Sequence, residues 1–113
     1  MRTPNYHEFY ELAFIPIGLN DFLALKETEA YDEAFSHWLI AVEGVQVDQK
    51  YIYFHWKVSI YPATIDRDFN WKKPYYYSAN MKSMDQAISL ASTFVAASKQ
   101  DQLSPAILLA KIS

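Results

Sequence analysis

Lys50-Tyr51-Ile52-Tyr53-Phe54-His55-Trp56-Lys57-Val58-Ser59-Ile60-Tyr61 is the stretch on which the reading of this chain turns. Ile52, Phe54, Trp56, Val58 and Ile60 alternate with Tyr51, Tyr53, His55, Lys57, Ser59 and Tyr61. A period of two sends these sets to opposite faces of a β-sheet. The first set is wholly apolar and is expected in a core. The second is amphipathic: three tyrosines with a histidine, a lysine and a serine. A tyrosine combines a large apolar body with a polar tip, which suits half-exposed surfaces and contacts between molecules.

Downstream, residues 62–70 read as a polar connection opening at Pro62. Residues 71–79 read as a second strand in which Pro74, lacking an N–H, belongs at an edge, a bulge or the beginning. Residues 83–99 read as a helix. Ser83 and Gln86 form a capping-box pattern, and Met84, Ala87, Ile88, Ala91, Phe94 and Val95 make one apolar face. The segment 106–112, after Pro105, fits either a last strand or a short helix.

Upstream, residues 8–17 read as a strand ending before Gly18, with Tyr10, Leu12 and Phe14 on one face and Phe9, Glu11, Ala13 and Ile15 on the other. Asn20-Asp21 begins a helical turn running to Lys26. In residues 28–43, Tyr31, Ala34, Phe35, Trp38 and Val42 recur at helical spacing. Thr28 stands as N-cap and Gly44 as C-cap of that segment. The helix is therefore the favoured reading, against a rival strand over Trp38–Val47 with a bulge at Glu43-Gly44. The expected class is α+β, an antiparallel sheet with helices packed on one face. Its order becomes the ferredoxin-like βαββαβ if 106–112 closes it as a strand.

The chain length of 113 residues fits a single domain over 1–113. Hydrophobic residues are 51% and charged residues 20%, enough apolar content to bury a core. With no cysteine, disulfides, thiolate metal sites and thiol nucleophiles are excluded. No run approaches the ~20 apolar residues of a membrane helix. Residues 1–8 lack the apolar centre of a signal peptide, so the expected location is cytoplasmic. Charge is uneven within a net −3: residues 1–49 hold nine acidic groups against Arg2 and Lys26, whereas 50–82 hold six basic groups against Asp66 and Asp68. An acidic helix beside a lysine-guarded sheet edge explains this more simply than a surface polarised toward a partner.

Two glycines, Gly18 and Gly44, are too few for a phosphate-cradling loop. His7, His37 and His55 fall on separate elements, so neither a metal site nor a cofactor is expected. Asp66-Arg67-Asp68-Phe69-Asn70 opens like a calcium loop. Trp71 stands at the sixth position, where such a loop needs glycine, and Tyr77 at the twelfth, where it needs glutamate. Turn chemistry accounts for the motif better. Lys73-Pro74-Tyr75-Tyr76-Tyr77 sets a basic residue before alternating aromatics, as on a base-stacking strand of an RNA-binding sheet. Pro74 occupies the glycine position of that pattern.

The candidate binding residues are therefore Tyr51, Tyr53, His55, Lys57, Tyr61, Lys73, Tyr75 and Tyr77, sharing one sheet face. The expected function is a non-enzymatic interaction module that docks a protein partner or its own copy on that face. Single-stranded nucleic-acid binding is the alternative, disfavoured by the net −3. A ligand-binding or enzymatic pocket built from Tyr53, His55 and Lys57 ranks last, because no nucleophile–base spacing supports it.

Overall fold

The computed structural model describes residues 7–46 and 54–112. The elements are β1 (His7–Pro16), α1 (Leu19–Lys26), β2 (His37–Gln46), β3 (Phe54–Ala63), β4 (Tyr76–Tyr77), α2 (Met84–Lys99) and α3 (Leu103–Ile112). The strands form one sheet in the order β1-β2-β3-β4, every pairing antiparallel. The chain is thus α+β, as expected. The segment after Pro105 takes the helical of its two readings, and the βαββαβ order had rested on the other. No helix among the described residues is long and apolar enough to cross a membrane.

The expected helix over 28–43 does not form. Residues 27–36 are turns and irregular chain, and from His37 to Gln46 the segment is the central strand, the rival reading but without its bulge, because the register to β1 and β3 runs unbroken through Glu43 and Gly44. Residues Trp38–Gly44 are buried throughout. A strand covered on both faces has no solvent side to impose a period of two, so it reads as an unbroken apolar run. Full ladders on both flanks, to β1 and to β3, decide the matter. Gly44 is not a helix cap. It lies opposite Trp56, and a Cβ there would sit 2.6 Å from the indole ring. Its bare backbone is the floor on which Trp56 lies.

Trp38, Ile40, Val42, Val58 and Ile60 point to one side and meet α2 through Ala87, Ala91 and Phe94. The small α2 residues bring that helix close to the sheet, as the sequence suggests. Ser83 caps α2, accepting from the Asp85 N–H at 3.1 Å, one position earlier than the capping-box pattern implies.

β1 carries an irregularity between Glu11 and Ala13 that skips Leu12 in the register. Before it, Phe9 lies opposite Glu43; after it, Phe14 lies opposite Leu39. The bulge therefore puts Phe9 and Phe14 on one face and moves Ala13 to the helix side, overriding strict alternation.

α1 and α3 cap one another. Asp101 accepts from the N–H groups of Asn20 and Asp21, both at 2.9 Å, at the start of α1. Asp21, fully buried, accepts from Leu103 at 3.0 Å and Ser104 at 2.9 Å, at the start of α3. Each carboxylate satisfies N–H groups that a helix start leaves unpaired, at the positive end of the dipole. The Gly18 backbone lies so close to the Asp101 carboxylate that a Cβ would overlap it.

The strand expected over 71–79 shrinks to Tyr76–Tyr77. Around it the chain straps the outer edge of β3 through isolated bonds. The Tyr75 N–H reaches the Ile60 carbonyl at 2.8 Å, and the Ser78 N–H reaches that of Val58 at 2.9 Å. Met81 exchanges both backbone bonds with Trp56. Pro74, unable to donate, stands where the pairing stops.

Candidate functional site

The sheet face opposite the helices is where the sequence places a docking surface, and the structure divides it in two. Its upper half is sealed from within the chain. Leu39, Ala41, Tyr61, Ala63 and Phe69 form a second buried cluster, with Phe9 and Phe14 against it. Phe69 comes from the 64–70 loop, stacks on Phe9 with ring centroids 5.8 Å apart, and meets Tyr61 at 4.5 Å. The loop closes on itself: the Thr64 N–H reaches the Asp68 carbonyl at 2.9 Å and the Arg67 N–H that of Thr64 at 2.9 Å. The Asp68 N–H also donates to the Thr64 hydroxyl at 3.1 Å. Arg67, at φ 68°, turns the chain so that its guanidinium lies 4.4 Å from the Phe14 ring, with Nε 3.4 Å from Glu11. The Asp66–Asn70 motif is thus a turn that delivers Phe69 to the sheet. Among the described residues no group of three or more metal-ligating side chains converges.

Tyr61 belongs to the sealed half. It is 4% exposed and donates its O–H to the Glu43 carboxylate at 2.9 Å. Burial first, then the charge of Glu43 and the bond to it, push the Tyr61 phenol well above its ordinary value. The folded state therefore holds this proton more tightly than the unfolded chain. The stability it contributes is intact below the ordinary phenol pKa of about 10 and is lost as pH rises beyond it. Tyr61→Phe is expected to cost about 1–3 kcal/mol at neutral pH, because buried Glu43 loses a donor. The variant should also lose less stability than wild type between neutral and strongly alkaline pH. Urea titrations of both proteins at the two pH values read this out, and parallel losses would refute the assignment.

The lower half stays open. His55 and Lys57 are half-buried on β3, opposite Val45 and Glu43. Tyr77 lies opposite Ser59 at the sheet margin and is 61% exposed, with the Lys57 ammonium 5.2 Å from its ring centroid. Tyr51 and Tyr53 lie outside the described residues. Tyr75 turns to the helix side: its ring lies 4.8 Å from that of Trp38 and its hydroxyl hydrogen-bonds Ser104 of α3 at 2.9 Å. Lys73 is exposed and lines a shallow crevice with Tyr75, Tyr77 and the 28–30 turn. So of the eight expected residues the structure brings Lys57 and Tyr77 into contact, aligns His55 with them, and buries Tyr61.

Sequence reasoning missed the residues that do the sealing, Phe9, Phe14 and Phe69. Phe69 sits in a polar loop with no periodicity, and Phe14 reaches this face only through the bulge. The one available signal was a large aromatic inside an otherwise polar turn. No family model matches this chain, and neither a curated protein nor a solved structure matches it.

Proposed function

We propose that the protein is a non-enzymatic interaction module that docks a protein partner on the open half of its sheet face, centred on Tyr77 and Lys57. One observation supports this reading above the others. Tyr77 is a large aromatic held on a paired strand, yet it keeps most of its surface in solvent beside a lysine ammonium. A rigid aromatic anchor ringed by polar groups is the usual chemistry of an interface centre. The adjoining face is already satisfied by Phe69, so the docking area is narrower than the whole ladder and lies toward the β3–β4 margin.

Tyr77→Ala is expected to weaken partner capture from native lysate by at least about tenfold, the usual range for an anchoring tyrosine. Melting temperature should stay almost unchanged, because little of the ring is buried. Sedimentation of the purified chain shows whether the partner is a second copy. Capture that disappears on nuclease treatment would transfer the surface to nucleic acid, which the Lys57, Lys72 and Lys73 ammoniums near Tyr77 and Trp71 would then serve. Capture and mass both unaffected by Tyr77→Ala would refute the reading.

A further inference from the structure

Between the 32–35 turn and the 64–71 loop lies a broad cleft of about 540 Å³ that is widely open to solvent. Three aromatic residues, Phe35, Phe69 and Trp71, and two acidic ones, Asp32 and Asp68, line it together with Thr64. Among the described residues no lysine, arginine or histidine lines it. Its walls are held before any ligand arrives. Asp32 accepts from the Ala34 N–H at 2.9 Å through its side chain and from the Phe35 N–H at 3.0 Å through its carbonyl. The opposite wall is the Thr64–Asp68 turn. The Asp68 carboxylate itself meets no donor or cation among the described residues.

The chemistry of this lining is one-signed. Aromatic faces carry negative potential and attract cations, and carboxylates add full charges. An anion would meet repulsion from both. A metal ion keeps its hydration shell and gains little from the rings, and a primary ammonium, which holds its water more tightly than an alkylated one, gains less from them. An alkylated ammonium spreads its charge over methyl groups, sheds water more easily and suits both walls. The chain itself shows the affinity of one ring for an ammonium: Lys72 Nζ lies 5.5 Å from the Trp71 centroid, and Trp71 is 39% exposed.

We infer that this cleft is a binding site for an alkylated ammonium group, with Trp71 and Phe35 facing the cation and Asp32 and Asp68 supplying the charge. The group can be carried by a small molecule or by a methylated lysine side chain. The site is separate from the Tyr77 surface, so either can fail alone.

The test titrates the full chain with choline and with its uncharged isostere 3,3-dimethylbutan-1-ol, reading tryptophan fluorescence and amide NMR shifts at Thr64–Trp71. Choline is expected to saturate at or below roughly 10 mM and to bind at least about tenfold more tightly than the alcohol, one such factor being one cation–π contact in size. Trp71→Ala should abolish binding. Asp68→Asn, which keeps shape at an exposed position, should weaken it several-fold. Lys72→Gln should tighten it, because it removes a competing cation. A peptide bearing trimethyllysine, run beside free choline, tells a protein source from a small-molecule one by which binds more tightly. Equal affinity for choline and the alcohol, or indifference to Asp68→Asn, would overturn the proposal. So would the absence of shifts at Thr64–Trp71.

Discussion

Asp21→Ala is expected to destabilise the protein by roughly 3 kcal/mol, from two lost charge-assisted hydrogen bonds of about 1.5–3 kcal/mol each, partly recovered by relaxation. At about 4 °C per kcal/mol for a domain of this size, the melting temperature should fall by about 12 °C. The reason lies in where the carboxylate sits. Asp21 is fully buried, and both its oxygens are used, on the N–H groups of Leu103 and Ser104. Alanine leaves those two donors at the start of α3, one buried and one part-buried, without their acceptor. Asp21→Asn separates this account from simple packing. Its amide keeps the volume but offers one acceptor oxygen, so it should cost about half as much. Hydrogen exchange locates the damage: α3 amides should lose protection first, while α2, capped by its own Ser83, should keep it. Stability within ~0.5 kcal/mol of wild type would show that the reciprocal cap contributes nothing.

Trp38→Ala should cost about 3–5 kcal/mol, the range for removing a large aromatic from a core. Trp38 is fully buried on the helix side of β2, against the Tyr75 ring. Tyr75 in turn reaches Ser104, so the cavity would loosen the strap over β3 as well as the sheet–helix contact. Trp38→Phe is the informative companion. The indole Nε1 is buried with no hydrogen-bond partner among the described residues. An unsatisfied buried donor costs about 1–3 kcal/mol, and phenylalanine removes it while keeping most of the ring. Chemical denaturation should therefore find the Phe variant far closer to wild type than the Ala variant. If the two are equally damaged, the indole N–H is engaged and this account of the core is wrong.

The elements that local pattern could settle are those with a polar side to define a phase. α2 shows its stripe because the opposite face, with Ser89 and Thr93, meets solvent. β3 shows its alternation because one set is apolar throughout. β2 offers no such contrast, since both faces are covered, and its helical spacing was an accident of an almost unbroken apolar run. The bulge at Leu12 is likewise silent in sequence, yet it determines which side receives Phe14. The docking face suffered most from this limit. Its alternation was legible, but whether a given phenol faces water depends on a loop that returns from elsewhere in the chain. Phe69 closes over Tyr61 and leaves Tyr77 open.

The amino-acid order alone determined the class, the existence of β1, β3, α1 and α2, and the alternation that sends His55, Lys57 and Tyr61 to the sheet face opposite the helices. Those properties follow from period and propensity, which act between residues close in the chain. Tertiary structure decided the identity of β2, the sealing of half that face, the mutual capping of α1 and α3, and the aromatic–acidic cleft. Each of these joins segments distant in sequence, and no local pattern records which distant group will arrive to share a buried surface or satisfy an exposed N–H.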